Sequence, residues 1–326
     1  MQLGLCVVGC GAFARTFSQA IQSLRDDIDL FFASRDVERA RRYAATFKGR
    51  GFFGSYEAAA ADPRVQAMYL CTPHHLHREH AALAAGAGKH ILVEKPMART
   101  LEEAREMLEE ARRAGVTLMV AENYRFLGPV QQSKQLIERG AIGTLRLIQL
   151  QEEAPFRPAQ WRTNRELNGG GVLIDGGIHK VDILLYLAGK PVHLYAARLP
   201  PGLDDLGAED GLVVTTRSSQ GVVGLIHHAW TSVHRPGPPW VAVSGTRGRL
   251  YFEVGASWLQ IDDGTSERTI SLPDDHYGLV PMVQEFRDSI VTGREPQMSG
   301  TAGLADLEVV LKAYESMAKG TSLPLA

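Results

Sequence analysis

Cysteine is scarce in this sequence, and neither sign of charge is in excess. Cys6, Cys10 and Cys71 are the only cysteines, and they show no Cys-x-x-Cys spacing. We therefore interpret them as small packing residues, not as a disulfide framework or redox motif. The 35 Lys and Arg nearly balance the 37 Asp and Glu, for a formal net charge of -2. Without a global positive field, the chain is not expected to bind nucleic acid or an anionic membrane surface.

The sequence also lacks a long hydrophobic run. No stretch approaches the roughly 18 consecutive apolar residues that a membrane-spanning helix needs. Met1 leads directly into a strand-like segment, without the basic region and cleavage site of a signal peptide. We therefore expect a cytoplasmic protein with no membrane partner. The 326 residues, of which 44% are hydrophobic and 22% charged, give room for two domains.

The first part of the chain alternates short apolar runs with amphipathic helical patterns. Strands are predicted at residues 3–8, 30–33, 67–71, 90–93 and 117–120. A helix is predicted at 101–114, where Thr100 and Glu103 have the spacing of a capping box. This βαβ rhythm predicts a doubly wound α/β domain over residues 1–122, with a parallel sheet covered by helices on both faces.

The pattern changes after residue 121. A helix near 130–139 and a strand near 144–152 precede a β-rich segment from residue 193 to 260. Residues 212–217 and 221–230 read as two strands of an antiparallel hairpin with a glycine in the turn. The pattern predicts a second, α+β domain over residues 123–326. Its last helix, 302–319, packs either there or back on the first domain.

A glycine-rich segment follows the first strand and opens the first helix. Residues 9–14 read Gly-Cys-Gly-Ala-Phe-Ala, a GxGxxG/A pattern in the context that dinucleotide binding requires. Glycine lets the backbone turn tightly and approach a pyrophosphate, and the helix N-terminus supplies N–H groups and a positive dipole end. The alternative is a glycine-rich turn with no ligand. The predicted cofactor-binding residues here are Gly9, Gly11, Ala12 and Phe13.

The end of the second strand favours NADP over NAD. NAD sites usually place an acidic residue there, whereas this chain has Ser34 and Arg35, with Arg39 one helical turn later. A hydroxyl and guanidinium groups suit a 2′-phosphate. NAD stays possible, because a register shift of two residues would bring Asp36 to the ribose. Solvated helix charges are the alternative for the two arginines.

Two further segments carry groups suited to proton transfer. Residues 94–96 read Glu-Lys-Pro and close the strand at 90–93, at the sheet edge where ligands bind. Lys95 can donate to, or take a proton from, a substrate hydroxyl. Residues 169–182 contain Asp175 and His179, which share a face if the segment is an α-helix. A histidine beside a carboxylate suits removal of an alcohol proton during hydride transfer.

In this order, the Gly9 segment, residues 71–77, 87–90, 94–96 and 169–182 resemble the glucose-fructose oxidoreductase / inositol dehydrogenase / MocA family of NAD(P)-dependent oxidoreductases. The resemblance runs the length of the chain. It implies a Rossmann domain and a second domain whose large, mostly antiparallel open sheet often forms the oligomer interface. The implied activity is oxidation or reduction of a sugar, polyol or related carbonyl compound, and the implied assembly is a homodimer or homotetramer.

The resemblance also assigns roles to single residues. Lys95, Asp175 and His179 form the implied catalytic set, with Lys95 and His179 as alternative proton carriers. Cofactor contacts are implied for the loop residues Cys71, Thr72, Pro73, His74 and His77, for Glu94 and Asn123 near the nicotinamide, and for Trp161 and Arg162. His74 stands where many relatives have Asn. Substrate contacts are implied for Tyr124, Arg125, Trp161 and Tyr277, with Arg125 near an anionic group.

Other functions stay open on the sequence. One is a dinucleotide-sensing regulatory protein without catalysis, but such a protein does not need a lysine, a histidine and a carboxylate together. Another is a dihydrodiol- or biliverdin-type reductase with an aromatic substrate. No metal site is expected, because His74, His75, His77 and His80 lack the spacing and the partner ligands of one. His227 and His228 alternate across a strand, so at most one faces the core.

Overall fold

The computed structural model describes residues 2–203, 206–231 and 239–325. Residues 204–205 and 232–238 of the predicted β-rich segment lie outside the described residues. The chain divides into two compact units, unit 1 (Met1–Asn123 and Leu279–Leu304) and unit 2 (Tyr124–Gly278 and Ala305–Ala326). The first boundary falls within a residue of the expected one.

The segment 279–304 belongs to unit 1. The sequence pattern had assigned this segment to the second domain. Val120 N–H donates to the Met298 carbonyl over 2.9 Å. Gly303 lies so close to the same strand that a Cβ atom on it would come within 2.5 Å of the Val120 Cγ2 atom. The last helix therefore begins in unit 1 and ends in unit 2, which combines the two alternatives that its sequence left open.

Unit 1 is built on a parallel sheet with the strand order β3-β2-β1-β4-β5-β6. Its strands are β1 (Leu3–Val8), β2 (Ile28–Ala33), β3 (Gly51–Phe53), β4 (Ala67–Leu70), β5 (His90–Glu94) and β6 (Leu118–Ala121). The expected doubly wound fold is confirmed. The strand order reverses between β1 and β4, and ligands bind in such sheets at the carboxyl ends of the strands near that point.

Unit 2 contains a mixed sheet with the strand order β14-β13-β12-β11-β7-β10-β9-β8-β15. Its strands are β7 (Leu145–Pro155), β8 (Pro191–Arg198), β9 (Gly211–Ser218), β10 (Val223–Thr231), β11 (Val241–Gly245), β12 (Arg249–Phe252), β13 (Trp258–Asp262), β14 (Glu267–Ser271) and β15 (Leu323–Pro324). Among these described strands, β7 and β10 pair in parallel and the other pairs are antiparallel. The predicted hairpin is confirmed as β9 and β10, and Gly221 has a φ of 83° in its turn.

The α-helices are α1 (Ala12–Ala20), α2 (Val37–Thr46), α3 (Tyr56–Ala61), α4 (His77–Gly86), α5 (Leu101–Ala114), α6 (Gly128–Glu138), α7 (Arg165–Asn168), α8 (Ile178–Ala188), α9 (Leu279–Thr292) and α10 (Gly300–Lys319). Helix α5 has the predicted bounds, and the Thr100 Oγ1 atom accepts the Glu103 N–H over 3.2 Å. The Glu103 carboxylate returns to the Arg99 N–H, one residue before the capping box predicts. None of the helices in the described part of the chain is long and apolar enough to span a membrane.

One face of the unit 2 sheet is covered by helix α8. Ile148 and Leu150 of β7 are buried on that face, and Leu184 lies so close to Gly224 that a Cβ atom there would be 2.6 Å from the Leu184 Cδ1 atom. Alternate residues point to the opposite face, where Tyr195 and Val223 are each 41% exposed. The sheet therefore buries one face and leaves apolar side chains on the other.

Candidate active site

The Gly9 segment has the geometry of a diphosphate cradle. Gly9 has a φ of 96°, and a Cβ atom on it would lie 2.7 Å from the Cys71 carbonyl oxygen. Helix α1 begins with Gly11 as its N-cap and has no side-chain cap, and a Cβ atom on Gly11 would meet no atom within 4 Å. The first turn of α1, with Ala12 and the exposed Phe13, thus presents N–H groups near the carboxyl ends of the parallel strands. These residues fit a dinucleotide.

The position directly after β2 carries no carboxylate. Ser34 is buried, and its Oγ atom accepts the Asp36 N–H over 3.2 Å. The Asp36 carboxylate caps helix α2 by accepting the Arg39 N–H over 3.1 Å. The Asp36 carboxylate thus already accepts a hydrogen bond from the first turn of α2. Arg35 and Arg39 are exposed beside this turn, and Tyr43 of α2 donates to the Gly11 carbonyl over 2.9 Å.

The loop after β4 is tied to the end of β5 by His77. The His77 ring lies 2.9 Å from the Pro96 carbonyl oxygen through Nδ1 and 2.8 Å from that of Thr72 through Nε2. Burial lowers the pKa of His77 to about 4, although the hydrogen bonds to the two carbonyl groups act in the opposite direction. The side chain is fully buried, so His77 positions this loop from inside unit 1.

The loop's other residues reach the sheet edge beside the Gly9 segment. The Thr72 Oγ1 atom lies 3.0 Å from His80 Nδ1, and the His80 ring packs edge-on against Tyr56 with a centroid distance of 4.7 Å. His74 is buried with its ring centroid 5.7 Å from that of His77. The described residues contain no group of three or more His, Cys, Asp or Glu that would hold a metal ion.

The Glu94–Pro96 turn ends β5 at the same edge. Glu94 is buried and accepts a hydrogen bond from the Tyr69 hydroxyl. Burial raises the pKa of Glu94 to about 7, although Tyr69 and Lys95 act in the opposite direction. Lys95 follows directly, is half-buried, and precedes a cis peptide bond to Pro96. Asn123, which follows β6, is buried at the end of this part of unit 1.

In unit 2, three consecutive glycines, residues 169–171, precede Asp175, and each position requires glycine for a different steric reason. Gly169 ends helix α7 with a φ of 90°. A Cβ atom on Gly170 would lie 2.3 Å from the Tyr314 hydroxyl oxygen, and one on Gly171 would lie 2.0 Å from the Glu209 carbonyl oxygen. The chain therefore needs glycine here because two other parts of unit 2 come within contact distance of its backbone.

Tyr314 and Glu209 hold the same segment with hydrogen bonds. The buried Tyr314 hydroxyl accepts the N–H groups of Gly171 and Ile174, each over 3.2 Å, and donates to Glu209 over 2.8 Å. Glu209 also accepts the Leu173 N–H over 3.0 Å. Sequence reasoning missed both residues, because neither lies in a motif or near the glycines along the chain.

The segment that carries Asp175 is not a regular α-helix. Residues Leu173–Gly177 form a π-helical turn that continues into α8. The segment from Asp175 to His179 is therefore not a continuous α-helix, because Asp175 lies in the π-helical turn and His179 in α8. Such wider turns are frequent at functional sites. Asp175 is buried and accepts a hydrogen bond from Arg162 Nε over 3.1 Å. The Arg162 guanidinium lies over the Trp161 ring, 4.4 Å from its centroid.

His179 lies in an aromatic stack. Its ring is 3.9 Å from that of Tyr124, centroid to centroid, with an interplanar angle of 19°. The next residue, Arg125, is buried and forms a two-point ion pair with Asp182, with Nε and Oδ2 3.2 Å apart. That pair joins the turn that carries Tyr124 to helix α8. Tyr277 is 56% exposed and packs over Gly255.

A buried polar cluster adjoins the stack. Lys180 follows His179 and contacts Glu152 and His228, and Trp240 contacts both Tyr124 and Glu152. His228 is buried, as expected for at most one histidine of its pair, while His227 lies on the opposite face near Glu153. The sequence analysis gave no role to Glu152, Lys180 or Trp240. No motif links them, because Glu152 lies on β7, Lys180 on α8 and Trp240 directly before β11.

Two family models match the chain. The oxidoreductase family with an NAD-binding Rossmann fold matches residues 3–122, and the GFO/IDH/MocA C-terminal domain matches residues 130–251. The 1,5-anhydro-D-fructose reductase of Ensifer adhaerens is 32% identical over 299 residues, which cover 88% of each chain. The trans-1,2-dihydrobenzene-1,2-diol dehydrogenase of Mus musculus is 32% identical over 253 residues, covering 76% of this chain and 74% of that protein.

A solved structure matches the whole chain. The aldose-aldose oxidoreductase of Caulobacter crescentus, solved in complex with glycerol, superposes with a TM-score of 0.90. It is 26% identical in sequence, and the match covers 100% of both chains. The fold and the sequence comparisons therefore agree.

Proposed function

Because the chain belongs to the GFO/IDH/MocA family of oxidoreductases, we propose that it transfers a hydride between a nicotinamide dinucleotide and the hydroxyl or keto carbon of a sugar, polyol or related small molecule. One observation of unit 1 carries the proposal. The positive φ of Gly9, the uncapped start of α1 and the side chain of Lys95 occur together at the carboxyl ends of parallel strands, where such sheets bind ligands. Relatives named as a sugar reductase and an aldose oxidoreductase support the substrate class.

The proposed roles follow from the chemistry of each group. A dinucleotide held by the Gly9 segment would supply the acceptor for the hydride that leaves the substrate carbon with its electron pair. His179 takes the hydroxyl proton as the C=O bond forms, and its stack on Tyr124 limits the ring to one orientation. Asp175, held by Arg162, orients the imidazole. Lys95 donates a hydrogen bond to the substrate oxygen as negative charge develops there.

Kinetics of two variants test these roles. Lys95→Met and His179→Ala are each expected to lower kcat by roughly 10²- to 10⁴-fold, the usual range for a proton-transfer group. The alternative that Lys95 carries the proton predicts that Lys95→Met lowers kcat by a larger factor than His179→Ala does. Circular dichroism checks that both variants are folded. If both folded variants keep a kcat near that of wild type, the proposed mechanism is wrong.

We propose NADP(H) as the preferred cofactor. Ser34 and Arg35 stand directly after β2, and the Asp36 carboxylate is engaged in capping α2. A guanidinium at this position suits the 2′-phosphate of NADP, whereas a carboxylate suits the ribose hydroxyls of NAD. Titration with NADPH and NADH by fluorescence tests the preference, and binding of NADH as tight as that of NADPH contradicts it.

We also propose that the protein is cytoplasmic, and that the uncovered face of the unit 2 sheet joins copies of the chain into a homodimer or homotetramer. Tyr195 and Val223 on that face are large apolar side chains at 41% exposure, and contiguous apolar surface commonly marks an interface. Light scattering after size-exclusion chromatography measures the mass. A monomer at micromolar concentration contradicts this part of the proposal.

A dihydrodiol, in which the two hydroxyl groups sit on a partly reduced benzene ring, is a second candidate substrate. The mouse relative named for such a diol is as similar in sequence as the sugar reductase. A screen with both sugars and trans-dihydrodiols decides between them. Cofactor binding without turnover of any compound favours the regulatory alternative instead.

A further inference from the structure

A buried lysine defines a polar cluster in unit 2, which we call the Glu152 cluster: Glu152, Lys180, His228 and Trp240. The Lys180 side chain is fully buried, donates to Glu152 Oε2, and lies 2.9 Å from His228 Nδ1. Trp240 Nε1 donates to the same Glu152 oxygen over 3.2 Å. The ammonium lies 5.2 Å from the centroid of the Trp240 ring. One carboxylate oxygen thus accepts hydrogen bonds from two buried donors.

The charges of this cluster are fixed by its hydrogen bonds. An ammonium group only donates, so His228 Nδ1 accepts and the imidazole is neutral. Burial, with Lys180 next to it, holds the pKa of His228 well below its usual range. Burial alone would raise the pKa of Glu152, but the Lys180 charge, the neighbouring His228 and the hydrogen bonds from Lys180 and Trp240 together lower that pKa to about 2. Glu152 is therefore a carboxylate throughout the working pH range.

The second oxygen of Glu152, Oε1, takes no part in these contacts, and it is not among the buried side-chain atoms without a partner in the described residues. In residues 2–203, 206–231 and 239–325, the hydrogen bonds and ion pairs of Glu152 all run through Oε2. The side chain is 25% exposed, although Lys180, His228 and Trp240 are buried. Oε1 is therefore a charged acceptor with accessible lone pairs. A buried ion pair adds little to stability compared with apolar residues of similar volume, so stability gives a poor account of this arrangement.

The Glu152 cluster adjoins the segment that carries His179 on two sides. The Tyr124 ring, which stacks on His179, packs edge-on against Trp240 with a centroid distance of 5.4 Å. A Cβ atom on Gly176 would lie 2.9 Å from His228 Cε1. The register β7–β10 places His228 opposite Glu152, on the face that helix α8 covers. The charged oxygen and the His179 ring therefore belong to one continuous group of side chains within unit 2.

We propose that Glu152 Oε1 binds a second hydroxyl of the substrate, separate from the one that is oxidised. This inference rests on the proposed function and narrows its substrate class. A carboxylate accepts hydrogen bonds from hydroxyl groups and repels carboxylates and phosphates. Lys180 keeps Glu152 charged, and Trp240 fixes the direction of its free oxygen. The chain thus selects neutral polyhydroxylated compounds with a hydroxyl donor next to the reacting carbon.

The test compares two neighbouring carboxylates that face opposite sides of the sheet. Glu152→Gln keeps the shape of the side chain and removes its charge, and Glu153→Gln is the matched control on the other face. The assay follows NADPH oxidation with 1,5-anhydro-D-fructose and NADP reduction with D-glucose and myo-inositol. Glu152→Gln is expected to raise KM about 10- to 100-fold, the loss typical of a hydrogen bond to a charged group. Its kcat and its Kd for NADPH, like all constants of Glu153→Gln, stay within about threefold of wild type.

Glu152→Gln leaves the Lys180 charge buried without a counter-charge, which can prevent folding. A second variant therefore tests the same contact without a buried charge. The double variant Glu152→Gln, Lys180→Met removes both charges and is expected to show the same rise in KM. A monodeoxy analogue that lacks the bound hydroxyl is expected to bind equally to wild type and to either variant. This analogue separates a substrate contact from a general loss of order, which would weaken every substrate alike.

The outcomes separate this inference from the function on which it rests. Wild-type turnover, with a KM for Glu152→Gln or the double variant within twofold of wild type, overturns the role of Glu152 alone. A uniform KM increase for all substrates, including every deoxy analogue, also overturns it. Wild-type protein that binds NADPH but turns over none of the compounds overturns the proposed function and this inference together.

Discussion

The hydroxyl group of Tyr314 is expected to stabilise unit 2 and to hold the segment that carries Asp175. Tyr314→Phe removes one oxygen and leaves the ring in place. Two backbone N–H groups then lose an acceptor at 3.2 Å, and the Glu209 carboxyl loses a donor at 2.8 Å. A buried polar group without its partner costs about 1–3 kcal/mol. With partial relaxation of the three groups, we expect the free energy of unfolding to fall by roughly 2–5 kcal/mol.

Two assays measure this effect. Thermal unfolding is expected to show a Tm lower by on the order of 5–10 °C. Because Gly171 and Ile174 lie directly before Asp175, kcat is expected to fall by about 10-fold or more, the usual result of a small displacement at a reacting group. The Kd for NADPH is expected to stay unchanged, since the Gly9 cradle belongs to unit 1.

Tyr251→Phe is the matched control. The Tyr251 hydroxyl donates to Glu267 near the surface of the same unit, and the loss of such an exposed hydrogen bond has little effect on stability. A Tm for Tyr314→Phe equal to that of Tyr251→Phe would refute the stabilising role of the Tyr314 hydroxyl. A lower Tm with an unchanged kcat would refute the link between this anchor and the active site.

Three further predictions concern the cofactor, the pH dependence of stability and the assembly. Ser34→Asp puts a carboxylate directly after β2 and is expected to weaken NADPH binding about 10-fold or more, and NADH binding much less, in a fluorescence titration. Burial raises the pKa of Glu94 to about 7 in the folded protein, from an ordinary value of 4.5 in the unfolded chain. Between these two values the folded protein holds a proton that the unfolded chain has released. The contribution of Glu94 to the free energy of unfolding is therefore fully present below about pH 4.5 and is lost as the pH rises through 7. In urea unfolding, wild type is expected to lose about 3 kcal/mol more than Glu94→Gln between pH 4.5 and 8. Val223→Lys places a charge on the uncovered sheet face and is expected to reduce the mass measured by light scattering.

Each of these has a contrary result. Equal weakening of both cofactors by Ser34→Asp would contradict a 2′-phosphate contact. Parallel pH dependences of wild type and Glu94→Gln would mean that Glu94 titrates at its ordinary pKa in the folded protein. A Val223→Lys variant with the mass of wild type would place the interface elsewhere.

The cofactor half of the site was predictable because its signals are local. Gly9 has a left-handed backbone, and helix α1 begins three residues later, so the pattern and its function occupy a few consecutive residues. The same holds for the Thr100 cap of α5 and for the glycine turn between β9 and β10. The resemblance to a family then supplied Lys95 and His179, which stay proposed as catalytic residues.

Other features had no local signal. The short strand β3 is 3 residues long and lacks a recognisable alternation. The π-helical turn at 173–177 takes the place of the α-helix that its spacing indicated. The pairing of Arg125 with Asp182, 57 residues away, likewise has no local signal in the sequence.

The sequence by itself thus determined the doubly wound first unit, the hairpin of the second sheet and the Gly9 cradle, because each depends on neighbouring residues and their backbone preferences. Only the tertiary structure decided the anchoring of Gly171 by Tyr314, 143 residues later, and the charge and direction of Glu152. Both depend on burial and on partners that distant segments bring together. Desolvation and hydrogen-bond geometry set the properties of such groups, and neither exists until the chain is folded.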